Sequence, residues 1–222
     1  MRVVYLHGFA SSPQSTKAQF FGGKFAQAGV AFEAPELDRG EFENLTIGGQ
    51  MLIVENAVAR HASALEKGEP LVLMGSSLGG YLAALYAAEH PGAVERLILL
   101  APAFGFLERW KTRLSTEEIE HWRENGWSPV YHYGSRTERR LGYGFLEEAA
   151  KYDASPDFHQ RALILHGTED PVVPYQNSYN FALEHARTRL VPFKSGHELT
   201  DVLEDLWREV ATFLEIAGPR VV

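Results

Sequence analysis

Cysteine is absent from the 222 residues of this chain. Its absence excludes disulfide bonds, catalysis by a thiolate and zinc sites built on thiolate ligands. The chain also has no internal repeat, no low-complexity segment and no heptad run. The sequence therefore indicates neither a disulfide-stabilised scaffold nor a repeat protein or coiled coil.

Clusters of basic residues are missing as well. Lysine and arginine together number 21, against 29 aspartates and glutamates, and the formal net charge is −8. Binding to nucleic acid depends on clustered cations that neutralise phosphates. We therefore expect no nucleic-acid partner.

Long apolar runs are the third absence. The longest apolar stretch lies around residues 97–106, which is far short of the roughly 20 residues that a membrane-spanning helix needs. The run at residues 3–6 is too short for the core of a signal peptide. We expect a cytoplasmic protein without a membrane span.

Short apolar runs of strand type alternate with helical periods along most of the chain. Because the strands are almost continuously apolar, the pattern predicts an α/β fold in one domain, residues 1–222, with a mostly parallel sheet covered by helices on both faces. The predicted strands are 3–6, 30–34, 71–74, 94–100, 163–165 and 189–193. The predicted helices run from an N-cap at Ser12 to about 29, from 51 to 65, from 77 to 89, from 175 to 185, and from 199 to an end at Gly218-Pro219.

Residues 104–150 interrupt this alternation, because they carry no strand signal. Ser115 and Glu118 form a capping-box pattern that predicts a short helix, closed by Gly126. Three of the four tryptophans fall in this segment. We predict a helical lid insertion at 104–150 over an apolar pocket, with an ordinary aromatic core as the alternative.

The most informative motif is GSSLG at residues 75–79, between a predicted buried strand and a predicted helix. In that context G-x-S-x-G is typical of a nucleophile elbow, a strained turn that lifts a serine hydroxyl above the sheet. Only Ser77 fits the frame. The turn also leaves the N–H of Leu78 free to bind an oxyanion, and the loop after the first strand should supply a second donor, the N–H of Phe9.

A serine nucleophile needs a base and an acid, which in this arrangement follow it in chain order. His197 comes after the last predicted strand, and Asp170 follows the strand before it. We predict that Asp170 orients His197, which accepts the proton of Ser77. The alternatives are that Asp170 only caps a turn before Pro171, that Glu169 is the acid, or that His197 is a simple loop residue.

Other polar residues are expected to have structural rather than catalytic roles. His7 and His166 are expected to brace their loops by hydrogen bonds. Arg136, Arg139 and Arg140 are expected to form a solvated face, with anion recognition as the alternative. The sequence indicates no metal site and no cofactor.

These motifs resemble the α/β-hydrolase superfamily over essentially the whole chain. YLHGFASSP at 5–13, GSSLGGY at 75–81, APA at 101–103 and HGTED at 166–170 are similar to small bacterial esterases and a related mitochondrial acyl-protein thioesterase. The resemblance implies a cofactor-free serine hydrolase acting on acyl esters or thioesters, with its triad at Ser77, Asp170 and His197. Many members begin with two antiparallel strands that this chain lacks, so a smaller sheet is expected.

The expected activity is that of a serine carboxylic-ester or thioester hydrolase, with a small-molecule substrate whose acyl group is apolar. Two alternatives remain open at the level of sequence. The same triad could cleave a carbon–carbon bond or an amide, or the chain could be an inactive member of the fold that binds a ligand. The sequence does not indicate the oligomeric state.

Overall fold

A computed structural model describes residues 1–216 of the chain, and a six-stranded parallel sheet in the order β2-β1-β3-β4-β7-β8 forms its centre. A separate two-stranded sheet pairs β5 with β6 in antiparallel fashion. The strands are β1 (Arg2–Leu6), β2 (Ala31–Glu33), β3 (Leu71–Ser76), β4 (Arg96–Leu100), β5 (Trp127–His132), β6 (Thr137–Gly142), β7 (Arg161–Gly167) and β8 (Thr188–Phe193). The α-helices are α1 (Thr16–Gln27), α2 (Ile47–Ala59), α3 (Ala62–Leu65), α4 (Leu78–Glu89), α5 (Phe106–Arg113), α6 (Thr116–Asn125), α7 (Gly144–Ala149), α8 (Tyr175–Glu184) and α9 (Leu203–Leu214).

Helices cover both faces of the central sheet, as predicted. Successive side chains of a strand point to opposite faces, so each strand contributes to two separate apolar cores. One core contains Val4 of β1 together with α2, α4 and α8. The other contains Tyr5 of β1 together with α1 and α9. Within residues 1–216 the central sheet has six strands, of which β1 is the first in the chain.

The first helix begins later than predicted. Its N-cap is Ser15, whose hydroxyl accepts a hydrogen bond from the N–H of Ala18. The carbonyl of Ser12 instead accepts from the N–H of Ser15 within the preceding turn. Two serines three residues apart satisfy the same capping rule, and sequence reasoning chose the wrong one.

Two other helices also differ from their predicted bounds. The predicted 51–65 helix is interrupted after Ala59, where a turn separates α2 from α3. The last helix begins at Leu203 rather than at Leu199, because Leu199 takes a left-handed conformation with φ 55°. The predicted end at Gly218-Pro219 lies outside the described residues. No helix among those described is both long and apolar enough to cross a membrane.

The segment 104–150 contains three helices, α5, α6 and α7, and also a hairpin that the sequence did not predict. The capping box of α6 is confirmed, since Ser115 and Glu118 make both of its hydrogen bonds. Strand β6 is mostly polar, and β5 mixes polar and apolar residues that are mostly half-buried, so neither shows the apolar alternation that identifies a strand. Contacts from outside the strands help to hold them, such as the bond from Trp122 Nε1 to the carbonyl of Leu141 at 2.9 Å.

Candidate active site

Ser77 lies in a strained turn at the carboxyl end of β3, which is the edge where parallel sheets bind their ligands. Its backbone has φ 54° and ψ −118°, a conformation that a residue with a side chain rarely adopts. Backbone hydrogen bonds hold the turn. The N–H of Ser77 donates to the carbonyl of Leu100 at 2.8 Å, and the N–H of Ala103 donates to the carbonyl of Ser77 at 3.0 Å.

Glycine is required on both sides of this turn because the backbones lie in contact. A Cβ atom on Gly75 would lie 2.2 Å from the carbonyl oxygen of Gly79. A Cβ atom on Gly79 would lie 2.1 Å from the carbonyl oxygen of Leu6 in β1. The spacing of glycines in the motif is therefore a consequence of how closely α4 packs on β1 and β3.

A chain of hydrogen bonds links the three residues that the sequence singled out. Nε2 of His197 lies 2.9 Å from Oγ of Ser77, and Nδ1 lies 2.7 Å from Oδ2 of Asp170. Because the carboxylate can only accept, Nδ1 of His197 donates to it, which leaves Nε2 free to accept from the serine hydroxyl. The side chain of Asp170 is fully buried and that of His197 is 11% exposed.

The loops after β7 and β8 are bonded to each other, and this brings the acid to the base. The N–H of Thr168 donates to the carbonyl of Phe193 at 2.7 Å, and the N–H of Glu169 donates to the carbonyl of Ser195 at 3.1 Å. A Cβ atom on Gly167 would lie 2.3 Å from that same serine carbonyl. The side chain of Glu169 is exposed, whereas that of Asp170 reaches His197.

Four hydrogen bonds surround the Asp170 carboxylate. Oδ1 accepts from the N–H groups of Val172 and Val173, each at 2.8 Å, and Oδ2 accepts from His197 and from His166. Burial raises the pKa of Asp170, but hydrogen bonds from His166, His197 and the backbone of Val173 outweigh it and hold the pKa well below its usual range. Asp170 is therefore a carboxylate at neutral pH.

Both loop histidines make the bracing contacts that the sequence predicted. Nε2 of His166 lies 3.2 Å from Oδ2 of Asp170 and 3.0 Å from the carbonyl of Val173, and both of these partners accept hydrogen bonds. The hydrogen of this ring therefore sits on Nε2, and Nδ1 lies 2.7 Å from the hydroxyl of Ser178. Nδ1 of His7 lies 2.9 Å from the carbonyl of Gly8, within the loop after β1.

The two predicted oxyanion donors border the serine. Leu78 is the first residue of α4, so its N–H has no acceptor within the helix. Phe9 follows Gly8, on which a Cβ atom would lie 3.5 Å from Cβ of Ser77. Over residues 1–216, neither the N–H of Phe9 nor that of Leu78 donates to a protein acceptor.

A cavity of about 790 Å³ opens beside Ser77. Its apolar wall consists of aromatic rings in mutual contact, with Phe9 and Trp110 centroids 5.1 Å apart and Trp110 and Phe145 centroids 5.5 Å apart. The segment 104–150 supplies lining residues from α5, from the hairpin turn and from α7. The N–H of Gly134 in that turn donates to the carbonyl of Ala10 at 3.3 Å, so the turn rests on the loop that carries Phe9.

Sequence reasoning missed Lys17, a buried cation in the cavity wall. Its Nζ donates to the carbonyl of Glu198 at 2.8 Å, next to His197. Burial lowers the pKa of Lys17, and the charges of Glu198 and Asp170 partly oppose that shift. A signal was present, because Lys17 precedes Phe21 and Phe25 at four-residue steps and so shares their buried helix face.

The three arginines of the hairpin separate into different roles. Arg139 pairs with Asp38 at 2.9 Å, Arg140 lies over the ring of Trp127, and Arg136 lines the cavity. Arg136 and Arg140 are exposed, as the predicted solvated face requires, whereas Arg139 is partly buried against Asp38. In the described part of the chain, no three His, Asp or Glu side chains are grouped so that they could hold a metal ion.

Known proteins with similar sequences include a human enzyme. The mitochondrial palmitoyl-protein thioesterase ABHD10 of Homo sapiens is 27% identical over 189 residues, which cover 81% of this chain. The chain spans only 60% of the length of that protein.

Solved structures share the fold. Alpha/beta hydrolase domain-containing protein 10 from mouse superposes with a TM-score of 0.75 at 23% identity, covering 96% of this chain and 88% of its own. Est1E from Butyrivibrio proteoclasticus, solved with ferulic acid bound, superposes with a TM-score of 0.81 at 23% identity. The superposition covers 97% of this chain and 88% of the Est1E chain. Identities this low establish the fold alone.

Family membership follows from a match to a family model. The model described as "Uncharacterised protein family (UPF0227)" matches residues 2–214, which is nearly the whole chain. The structural neighbours confirm the α/β-hydrolase fold that the sequence predicted. The chain therefore belongs to the UPF0227 family, and it has the α/β-hydrolase fold.

Proposed function

We propose that this protein is a serine hydrolase that cleaves acyl esters or thioesters through an acyl-enzyme on Ser77. The observation that carries the proposal is the hydrogen-bonded chain from Ser77 through His197 to Asp170, with distances of 2.9 and 2.7 Å. The similarity to a palmitoyl-protein thioesterase supports the same reaction class.

In the first half-reaction, Oγ of Ser77 attacks the carbonyl carbon while its proton passes to Nε2 of His197. Asp170 stabilises the imidazolium that forms. The N–H groups of Phe9 and Leu78 bind the oxyanion, and loss of one such donor typically costs about 100- to 1,000-fold in rate. Collapse of the intermediate breaks the bond to the alcohol or thiol, which takes the proton from His197 and leaves.

In the second half-reaction, a water molecule gives a proton to His197 and attacks the acyl carbon. Collapse releases the carboxylic acid, and the Ser77 oxygen recovers its proton from His197. The same donors stabilise both tetrahedral intermediates. No cofactor or metal ion is needed for either step.

The segment 104–150 acts in this proposal as a lid over the acyl group. Phe106, Trp110 and Phe145 present their rings to the cavity, and Phe9 completes that wall from the sheet side. Aromatic rings favour an apolar acyl chain, because they remove its surface from water.

The test is pre-steady-state hydrolysis of p-nitrophenyl esters with short and medium acyl chains. We expect a burst of p-nitrophenol equal to the enzyme concentration, if deacylation is the slower step, and Ser77→Ala should abolish turnover. A fluorophosphonate should label the wild type at Ser77. Ser76→Ala is the matched control and should retain labelling.

Two results would count against the proposal. One is the absence of turnover for every ester and thioester in the panel. The other is a wild-type protein that is folded but takes no fluorophosphonate at Ser77, which would favour a ligand-binding role instead.

A further inference from the structure

The cavity beside Ser77 carries an excess of positive charge. Its lining includes the cationic side chains of Lys17, Arg109 and Arg136, and in the described part of the chain Glu198 is the one carboxylate among its lining residues. The chain as a whole has a net charge of −8. Cations concentrated in a concave site of an acidic protein create a local field that favours an anionic ligand.

Among the cavity cations of the described chain, Arg109 is the partly buried one that lacks a carboxylate partner. It is half-buried in α5, and its Nη1 donates to the carbonyl of Phe104 at 3.1 Å. No carboxylate within residues 1–216 forms an ion pair with its guanidinium. By contrast, Arg139 pairs with the buried Asp38, and even the exposed Arg189 pairs with Glu209.

The acid near Arg109 does not serve as that partner. Burial and the neighbouring Arg113 lower the pKa of Arg109, and the charge of Asp170 only partly opposes that shift. Both oxygens of Asp170 are already occupied by His197, His166 and two backbone N–H groups. A guanidinium has five N–H donors in a fixed fork, and most of those of Arg109 have no acceptor in the described chain.

The guanidinium of Arg109 has no counter-charge in the described chain, and its unpartnered N–H groups remain accessible, so a ligand in the cavity can reach them. We propose that Arg109 binds an anionic group, a carboxylate or phosphate, carried by the ester or thioester substrate. The inference rests on the proposed function, because it assigns a substrate class to the same cavity. Lys17 and Arg136 add to the field but are weaker anchors. Lys17 already donates to the carbonyl of Glu198, and Arg136 is exposed.

The anionic group can sit on either side of the scissile bond, and paired substrates distinguish the two sources. The first pair is p-nitrophenyl butyrate against the p-nitrophenyl monoester of glutaric acid, which places a carboxylate on the acyl chain. The second pair is the butyryl thioester of N-acetylcysteamine against that of 3-mercaptopropionate, which places it on the leaving group.

In one of the two pairs, we expect Arg109→Met to lower the ratio of charged to neutral kcat/KM by about 10- to 100-fold, the range for a lost hydrogen bond to a charged group. Arg109→Lys should recover part of the ratio, because it restores the charge without the fork. Lys111→Met is the matched control, since Lys111 is an exposed cation of the same helix that pairs with Glu108. It should leave both ratios unchanged.

A binding measurement makes the test independent of turnover. With Ser77→Ala protein, calorimetric titration should show tighter binding of monomethyl glutarate or 3-mercaptopropionate than of their neutral methyl esters, and Arg109→Met should remove the difference. Thermal unfolding confirms that each variant is folded.

The outcomes separate the two proposals. Unchanged ratios in both pairs, with Ser77-dependent turnover of the neutral esters intact, would overturn the role of Arg109 and leave the hydrolase function standing. Absence of any turnover, combined with Arg109-dependent binding of an anion, would overturn the hydrolase function instead.

Discussion

The two walls of the cavity are built on different principles. On the sheet edge, which comprises the loops after β1, β3, β7 and β8, backbone packs on backbone at glycines, and polar groups are bonded to one another. On the side of segment 104–150, aromatic side chains make the contacts, and most residues of the hairpin strands are half-buried or exposed. The first wall tolerates little change because its contacts are backbone atoms. The second can change its shape by exchanging side chains, so under the proposed function we expect it to set substrate choice.

The largest expected effect comes from the sheet edge. Asp170→Asn should lower kcat for ester hydrolysis by about 10,000-fold, because an amide cannot orient His197 in the tautomer that accepts the serine proton. Steady-state kinetics on p-nitrophenyl esters measures this fall in kcat. Glu169→Gln changes the exposed neighbour and should have little effect on kcat. An equal fall in kcat in both variants would contradict the assignment of Asp170 as the acid.

The second prediction compares the effect on stability of substituting one glycine in each wall, Gly79 at the sheet edge and Gly144 in segment 104–150. Gly79→Ala should destabilise the fold by more than about 3 kcal/mol or prevent folding, because its Cβ would lie 2.1 Å from a backbone oxygen of β1. In α7 of the segment, a Cβ on Gly144 would meet no atom within 4 Å. Gly144→Ala should therefore change the free energy of unfolding by less than about 1 kcal/mol.

Chemical denaturation of the two variants measures both values. Comparable losses of stability would mean that the two walls are equally rigid, which would remove the basis of the comparison.

The third prediction concerns pH and again belongs to the sheet edge. The pKa of Asp170 is lower in the folded protein than in the unfolded chain, so its charge stabilises the fold above the unfolded value near 3.9. That stabilisation is lost as the pH falls below this value towards the folded pKa. The difference in unfolding free energy between wild type and Asp170→Asn should therefore shrink below about pH 4. A difference that stays constant down to pH 2 would contradict the assigned hydrogen bonds.

The smallest effect is expected on the other wall. Trp110→Ala should raise KM for medium-chain esters about tenfold and change kcat little, as expected when roughly 1.4 kcal/mol of apolar contact with the substrate is lost. Trp127→Ala is the control, because Trp127 lies in the same segment under Arg140 and does not line the cavity. A fall in kcat without a change in KM would show that Trp110 acts on the sheet edge rather than on the acyl chain.

The same difference between the walls explains what the sequence could predict. The elbow at 75–79 is recognisable because close backbone contact allows only glycine at its ends. That requirement can be read directly from the sequence. Asp170 and His197 could be named because parallel strands bring their carboxyl ends to one edge. The sequence left Asp170 and Glu169 as alternatives, and only the loop conformation shows that Asp170 is the one that contacts His197.

The segment 104–150 was harder to predict for a physical reason. The strands of its hairpin pair mainly through backbone groups, which are the same in every sequence, and their side chains show no regular alternation of burial. Arg109 was not identified, because its importance lies in the absence of a counter-charge around it, which is a property of three-dimensional packing. Lys17 could have been found from its position on the buried face of α1.

The bond between Gly134 and Ala10 joins these two walls at one point. The hairpin turn cannot swing outward without releasing the loop that holds the Phe9 amide. We therefore expect substitutions in the turn to act on Phe9, the proposed oxyanion donor, without contacting the substrate.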